Sequence, residues 1–394
     1  MFLVHRVANK GMESAEYSAF YALLRLFVWL GIPSAGLQMV FAKQAAAAHT
    51  EEKKQELSAT FRGVLQATFV LWLVVGLLGM VLNKQILSLL QMKDAGALYM
   101  TILLVLPTLW LPVFKGVLQG KHNFAWMGWL QIIEGIGRFA TIAIIVILFH
   151  GQATGGILAC LIGQGAAFFL GLWLIRDVWL GLRAKFDWSS WLAHVIPLTL
   201  GLGTILFVTS ADALFVKSIF DQEVCRIYMN ANLIGFAIMQ FVAPITSVMF
   251  PKIVQSMARS EKSDALQLTV GITFLVSACG AAACTIMPTL PLRIIFHTPE
   301  SLLAAPLVPW FAWALVPLTL ANVLLTNLLA CQRYTAILWL LVVAAAFPAA
   351  LGWLSPTLLQ MKQMDAFRLV VQILGLESLL LAGVAAWFSW GKKS

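Results

Sequence analysis

Residues 16–42 read EYSAFYALLRLFVWLGIPSAGLQMVFA, an apolar run that begins at a glutamate and carries a proline. Residues 223–250 read EVCRIYMNANLIGFAIMQFVAPITSVMF and repeat the same order of features. Tyr228 lies 207 residues after Tyr21, and the two leading glutamates have the same spacing. Because about 20 apolar residues are enough to cross a bilayer as a helix, the two runs predict a repeated, membrane-embedded unit.

The spacing recurs further along the chain. Pro107 and Pro317 lie 210 residues apart in matching apolar stretches. The basic residues Lys121 and Arg333 follow those stretches at nearly the same spacing. An offset that stays near half of the 394 residues predicts two homologous helical bundles. Paired bundles with a substrate site at their interface are typical of secondary transporters.

The composition also indicates a membrane protein. Hydrophobic residues make up 61% of the chain, charged residues make up 11%, and the mean hydropathy is +0.88. Soluble domains carry about 25% charged residues, and only helices or closed barrels satisfy the backbone in lipid. Since the apolar runs have helical length, we predict an all-α, polytopic protein with two pseudo-symmetric bundles of a six-plus-six design.

The apolar runs predict about eleven spans. They cover residues 17–42, 63–82, 96–119, 129–150, 153–175, 194–217, 224–250, 265–289, 302–330, 335–355 and 367–390. A helix preceding the first span would end near residue 9, so we expect the first helix of the design to be mostly missing. The predicted domains are an N-terminal lobe at 1–175, a cytoplasmic linker at 176–193 and a C-terminal lobe at 194–394.

The loops differ in charge, and the motifs of common enzymes are absent. Fourteen loop lysines and arginines fall on one side and five on the other, which predicts a cytoplasmic C-terminus. The sequence contains no Walker-type phosphate loop and no cluster of ligands at metal spacing. We therefore expect a transporter that is not an enzyme, with no cofactor or metal and no nucleic-acid partner.

Polar residues inside the spans are the main functional candidates, because charge in hydrocarbon is costly. Arg25 lies eight residues past Tyr17 and about 12 Å into its span, so we expect it to line a watery cavity. Asn232 is its equivalent at an offset of 207 residues. The predicted substrate-binding set comprises Arg25, Asn232, Asn230, Arg226, Tyr21 and Tyr228. Helix–helix hydrogen bonds, snorkelling and an interfacial position are the alternatives.

Two carboxylates are candidates for coupling to H+ or Na+. Asp212 lies near the outer end of its span, where it would bind a cation or proton, pair with Arg25, or pair locally with Lys217 in a solvated end. Glu377 lies in mid-span without an obvious neighbour, which suits either a proton relay or a neutral buried acid.

Other residues favour structural roles. Glu134 and Arg138 are four residues apart on one helix and are predicted to form a self-neutralised structural pair. Lys115 is expected to snorkel to the nearby interface. Pro107 and Pro317 are candidate hinges for alternating access, although prolines in membrane helices also serve only to shape packing.

Four stretches resemble a known superfamily. They read GMESAEY at 11–17 with IPSAGLQ at 32–38, GVLQGKH at 116–122 ahead of Glu134 and Arg138, YMNAN at 228–232 after Asp212, and VMFPK at 248–252. On these motifs the chain resembles the multidrug/oligosaccharidyl-lipid/polysaccharide exporter superfamily, and within it the polysaccharide (O-antigen type) flippases.

The resemblance implies a fold, a cargo and a location. Two six-helix lobes would form a V around a central cavity, with Arg25 in a cavity-lining helix. By alternating access the protein would move an undecaprenyl-pyrophosphate-linked oligosaccharide across the bacterial cytoplasmic (inner) membrane, for cell-surface polysaccharide such as the O-antigen of lipopolysaccharide. Its expected partners are the lipid-linked oligosaccharide, membrane lipids and the polysaccharide polymerase machinery, and the expected state is a monomer.

Two other functions compete with this interpretation. A cation-coupled multidrug antiporter of the same superfamily should show several cavity carboxylates, whereas Arg25 would repel a cationic drug. An O-antigen polymerase or ligase would carry large external loops with catalytic arginine and histidine residues, whereas the longest external connections here have about a dozen residues.

Overall fold

The computed structural model describes residues 2–92, 95–181, 188–258, 265–296, 298–331 and 333–391. The chain divides into two compact units, Met1–Thr199 and Leu200–Ser394. The boundary falls inside a helix that begins at Trp188, within the segment predicted as the linker, and residues 182–187 of that segment lie outside the described part. The lobe and linker limits at 175 and 193 stay a prediction.

The first unit is built from helices of very different length. They are α1 Phe2–Gly11, α2 Ser14–Leu30, α3 Leu37–Ala47, α4 Glu51–Val81, α5 Asn83–Leu89, α6 Gly96–Gly120, α7 Phe124–Ile142, α8 Gln152–Leu174 and α9 Arg176–Trp179. A 3-10 turn at Ile32–Ser34 joins α2 to α3, and a π-helical segment at Ala143–Leu148 extends α7. The helix α10, Trp188–Ile219, crosses the boundary between the units.

The second unit repeats the long helices. They are α11 Gln222–Ala258, α12 Ala265–Ile286, α13 Thr289–Ile295, α14 Val308–Ala330, α15 Thr335–Gln360 and α16 Gln363–Trp390, with a 3-10 segment at Pro299–Leu307. The helix α14 is buried along most of its length and packs against α11, α12 and α16. It is therefore the central helix of this unit.

The described helices confirm an all-α, multi-pass membrane fold. Nine stretches of the described chain are long and apolar enough to cross a membrane, and the bent pair Ser14–Leu30 and Ile32–Ala47 makes a tenth. The other predicted span, 224–250, lies in α11, whose side chains from residue 243 onward fall outside the described part. The predicted positions of the spans agree with these helices to within a few residues, apart from longer ends such as the start of α4.

The first predicted span is bent and not straight. Its two halves, α2 and α3, meet at 43° around the 3-10 turn that contains Pro33. Ser34 Oγ donates to the carbonyl oxygen of Gly31 at 2.8 Å and also lies 3.3 Å from the carbonyl oxygen of Thr108 in α6. In a regular helix that carbonyl would bond the N–H of residue 112, which is a proline and has none. The bend thus places a hydroxyl donor near a carbonyl oxygen that Pro112 leaves without its helical N–H partner.

Close contact between α3 and α6 fixes the core of the first unit. A Cβ atom added at Gly116 would lie 3.0 Å from Phe41 Cβ, and one added at Gly120 would lie 2.6 Å from Ala45 Cβ. Glycines one helical turn apart allow two membrane helices to approach at backbone distance. The GVLQGKH stretch of residues 116–122 therefore has a packing role.

Candidate functional site

Arg25 is the centre of a polar cluster inside the first unit. Its side chain is only 6% exposed, and its Nη2 donates to the hydroxyl of Tyr21 at 2.5 Å. The guanidinium carbon also lies 4.9 Å from the Tyr21 ring centroid. The His5 ring in α1 lies 5.2 Å from the Tyr21 ring, and its Nδ1 is 3.5 Å from the hydroxyl of Tyr17. Arg25 is therefore held by α2 aromatics and does not snorkel to an interface.

A second cluster surrounds Asp212 inside the second unit. Asp212 Oδ2 accepts hydrogen bonds from the Tyr228 hydroxyl at 2.8 Å and from Asn232 Nδ2 at 2.7 Å. All three side chains are buried. The rings of Phe311 in α14 and Phe367 in α16 pack edge-on against Tyr228 at 5.0 and 5.2 Å. Of the alternatives for Asp212, a solvated helix end is wrong, because its side chain is fully buried.

The two clusters occupy equivalent positions of the repeat. Tyr228 and Asn232 lie 207 residues after Tyr21 and Arg25, and Asp212 lies 207 residues after His5. Sequence reasoning missed His5, although the same offset pointed to it. The cluster of the first unit is built on a cation, whereas the cluster of the second unit is built on a carboxylate.

The remaining members of the predicted binding set differ in burial. Asn230 is 1% exposed in α11, and Arg226, one turn earlier, is half-buried. Lys217 in α10, five residues after Asp212, is also fully buried. The beginning of α11 and the end of α10 therefore bring polar and charged side chains into the interior of the second unit.

Glu134 bonds two cations and not one. Arg138 Nη2 lies 2.5 Å from Glu134 Oε1, as the four-residue spacing predicts, and Lys115 Nζ lies 3.1 Å from Glu134 Oε2. The three side chains are only 12–19% exposed. The snorkelling expected for Lys115 is thus wrong. The group carries a net positive charge instead of neutralising itself, and its purely structural role stays a prediction.

Buried charge is arranged differently in the two units. In the first unit, the buried or half-buried cations include Arg25, Lys115 and Arg138, and Glu134 bonds the last two. In the second unit, the carboxylates of Asp212 and Glu377 are buried together with Lys217. Because charges interact strongly where water is excluded, the cations of the first interior favour an anionic ligand.

Glu377 lies on the buried stripe of α16. Its side chain is 5% exposed, and its Oε1 has no hydrogen-bond partner among the described residues. The neighbouring helices α14 and α15 contain no acidic or basic residue, and α16 adds only Asp365 and Arg368 near its start. Glu377 is therefore a buried carboxyl with no charged residue close to it on these three helices.

The prolines proposed as hinges lie inside continuous helices. Pro107 is buried within α6, and Pro317 is half-buried within α14. Both helices continue through their proline, and the hinge role stays a prediction. Among the described residues, no group of histidine, cysteine and carboxylate side chains could hold a metal ion.

The chain was compared with known families and structures. A sequence profile for a family described as "Polysaccharide biosynthesis protein" matches residues 15–257. A comparison with curated proteins finds no match. In three solved structures the similarity covers nearly the whole of this chain.

The first of these is an inward-facing multidrug resistance MATE family transporter of the MOP superfamily, with a TM-score of 0.77, 11% identity, and coverage of 98% of this chain and 92% of that one. The second is the lipid II flippase MurJ in an inward closed conformation, with a TM-score of 0.71, 14% identity, and coverage of 98% and 83%. The third is the eukaryotic MATE transporter AtDTX14, with a TM-score of 0.70, 12% identity, and coverage of 99% and 94%. The fold is thus that of the exporter superfamily predicted from the sequence motifs.

Proposed function

Since the chain belongs to the polysaccharide biosynthesis protein family, we propose that it is a flippase for an undecaprenyl-pyrophosphate-linked oligosaccharide. It moves this lipid across the cytoplasmic membrane of a bacterium by alternating access, and its product enters cell-surface polysaccharide such as O-antigen. The buried cationic interior of the first unit, with Arg25 at its centre, is the observation that supports this cargo most directly.

The chemistry of Arg25 suits a pyrophosphate. A guanidinium presents a planar fork of donors that matches two phosphate oxygens at once. In the structure, the Arg25 guanidinium donates a hydrogen bond to the hydroxyl of Tyr21. A dianionic headgroup is a stronger acceptor than a phenol, so it would replace Tyr21 at the guanidinium. The Lys115–Glu134–Arg138 group adds a further positive charge to the same unit.

We further propose that protons drive transport and that Glu377 carries them. Asp212 accepts two hydrogen bonds at one oxygen, which hold its carboxylate in place. Glu377 accepts no hydrogen bond at Oε1 from the described residues, so this oxygen is available to take up a proton. Asp212 then serves as a fixed buried anion.

One observation favours a second function, that of a cation-coupled multidrug antiporter. Asp212 is a fully buried anion in contact with an aromatic ring system, and aromatic groups bind organic cations. The buried positive charge of the first unit argues against it, because a cationic drug would be repelled there. We do not propose the polymerase or ligase alternative. A monomer with a cytoplasmic C-terminus that works beside a polysaccharide polymerase is part of the main proposal.

Transport in proteoliposomes tests the proposal. A fluorescent undecaprenyl-pyrophosphate oligosaccharide is placed in one leaflet, and its movement is followed by quenching. We expect Arg25→Gln to slow movement by about 10–100-fold, because a charge-assisted contact contributes about 1.5–3 kcal/mol. Arg25→Lys should retain part of the activity, since it keeps the charge but loses the fork.

Arg368→Gln is the matched control, because it removes an exposed arginine that pairs with Asp365 near the start of α16. Equal loss in both variants would contradict a specific role for Arg25. Absence of glycolipid movement together with proton-driven export of a cationic dye would favour the antiporter.

A further inference from the structure

Each unit carries an open groove between two consecutive helices. In the first unit, the groove between α7 and α8 measures about 360 Å³ and is lined by Trp126, Trp173, Leu174, Arg176 and Asp177. In the second unit, the groove between α15 and α16 measures about 390 Å³ and is lined by Trp339, Gly383, Val384, Trp387 and Phe388. We call them the first and the second groove.

The two grooves are equivalent positions of the repeat. Trp339 follows Trp126, and Trp387 follows Trp173, at an offset that is nearly the same for both pairs. The basic residues of the adjacent loops, Lys121 and Arg333, are separated by almost the same length of chain. Both grooves therefore open on the side that the excess of basic loop residues predicts to be cytoplasmic.

The backbones of α7 and α8 meet near the middle of both helices. A Cβ atom added at Gly137 would lie 2.9 Å from the Cα of Gly163, so the two backbones meet there. Trp126 and Trp173 lie 11 and 10 residues from that contact, or about 15 Å along each helix. Tryptophans at this depth are typical of the membrane–water interface, where one ring edge is wet and the other is in lipid.

The rim of the first groove carries an available cation. The exposed Arg176 places its guanidinium carbon 5.0 Å from the Trp173 ring centroid and has no ion-pair partner among the described residues. The neighbouring Asp177 is already paired with Lys121 and does not compete for it. Above the rim, exposed apolar side chains continue along both helices, such as Ile136 at 63% and Phe169 at 70% exposure.

The second groove lacks this cation. The offset that relates Trp173 to Trp387 places Trp390, which is exposed and apolar, at the position equivalent to Arg176. The nearby Arg333 directs its Nη1 to the carbonyl oxygen of Phe388 at 2.6 Å. The side chains that line the second groove are therefore apolar, and the cation Arg333 lies beside them, bonded to a backbone carbonyl.

We propose that the first groove binds one anionic phospholipid of the cytoplasmic leaflet. Its phosphate contacts the Arg176 guanidinium, the headgroup lies between Trp126 and Trp173, and the acyl chains follow the exposed faces of α7 and α8. The second groove, where Arg333 is already bonded to a backbone carbonyl, selects less strongly for headgroup charge. Of the two described grooves, the first is thus the one that prefers anionic lipid. This proposal depends on membrane embedding and not on the transported cargo.

Native mass spectrometry of the purified full chain in detergent tests the proposal. The probes are phosphatidylglycerol, phosphatidylcholine and glycerol 3-phosphate, titrated separately. We expect one phosphatidylglycerol per chain to bind more tightly than phosphatidylcholine, and Arg176→Gln should weaken that binding about fivefold, because one cation at a membrane surface contributes about 1 kcal/mol. Binding of phosphatidylcholine should not change, and glycerol 3-phosphate should not compete.

Lys54→Gln is the matched control, because it removes one exposed charge on the same predicted side and lies away from the groove. Unchanged phosphatidylglycerol binding in Arg176→Gln would overturn the proposal, as would equal losses in both variants. Full displacement by free glycerol 3-phosphate would show a soluble phosphate site and overturn it too. Displacement of phosphatidylglycerol by undecaprenyl phosphate at equal mole fraction would show a polyprenyl site and would also overturn the proposal. Unchanged melting temperatures of both variants separate these outcomes from misfolding.

Discussion

Adding a single methyl group at Gly120 should loosen the contact between α3 and α6. The new Cβ would lie 2.6 Å from Ala45 Cβ and 2.8 Å from the backbone nitrogen of Ala46. Carbon atoms in contact normally lie about 3.5–4.0 Å apart, so the helices must separate by about 1 Å. Since the nearby atoms include backbone, no side-chain rotation relieves the overlap.

The size of the effect follows from two opposing terms. Overpacking of this kind costs about 1–3 kcal/mol, and contact with backbone favours the upper half of that range. Alanine gains about 1 kcal/mol over glycine in a helix interior. The Gly120→Ala variant should therefore lose about 1–2 kcal/mol, which lowers the melting temperature of a unit of this size by about 3–6 °C.

The assay is thermal unfolding in detergent, followed by tryptophan fluorescence, with Gly135→Ala as the matched control. Gly135 lies in α7, and a Cβ atom there would meet nothing within 4 Å. The control should keep or slightly raise the melting temperature. If the Gly120→Ala and Gly135→Ala variants have the same melting temperature, α3 and α6 do not meet at backbone distance and the packing argument is refuted. Transport should fall with stability, because α3 continues the span that carries Arg25.

Three other substitutions give distinct results. Ser34→Ala removes the donor to the Thr108 carbonyl and should lower the free energy of unfolding by about 1 kcal/mol. Ser355→Ala, which removes a hydroxyl bonded only within its own exposed helical turn, should change it very little. Equal effects would contradict the role of the bend. Glu377→Gln should abolish uptake driven by a pH gradient and leave exchange without a gradient intact, and sodium-driven transport in the same variant would contradict proton coupling. Tyr228→Phe removes one of the two hydrogen bonds to the Asp212 carboxylate and should reduce coupled transport several-fold at unchanged protein yield. Unchanged transport in this variant would show that the Asp212 cluster has no part in coupling.

Much of the fold could be predicted from the sequence, because membrane spans depend on the length and apolarity of continuous segments. The bend between α2 and α3 could not, since a continuous run of apolar residues does not show where a helix changes direction. The pairing of Lys115 with Glu134 was also beyond sequence reasoning. These residues lie 19 apart on different helices, and their contact depends on how α6 packs against α7.

The candidate site shows a similar division. Local spacing was enough to predict a contact within one helix, that of Arg138 with Glu134. Contacts between helices, such as Asp212 with Asn232, required the packing of α10 against α11. His5 was missed because its helix is short, although the repeat offset alone would have identified it.

The opposite charges of the two clusters bear on how a duplicated unit supports directional transport. Equivalent positions provide equal backbone geometry, so the difference between the clusters comes from side chains alone: Arg25 and His5 stand where the second unit has Asn232 and Asp212. Two cationic clusters would both attract the proposed pyrophosphate. A cationic cluster in the first unit alone, with the proposed proton carrier Glu377 in the second, allows cargo and proton to bind different units, and linkage then requires that each ligand change the affinity for the other by the same factor. The proposed coupling thus needs no contact between cargo and ion, but only two conformations that each ligand stabilises to a different extent.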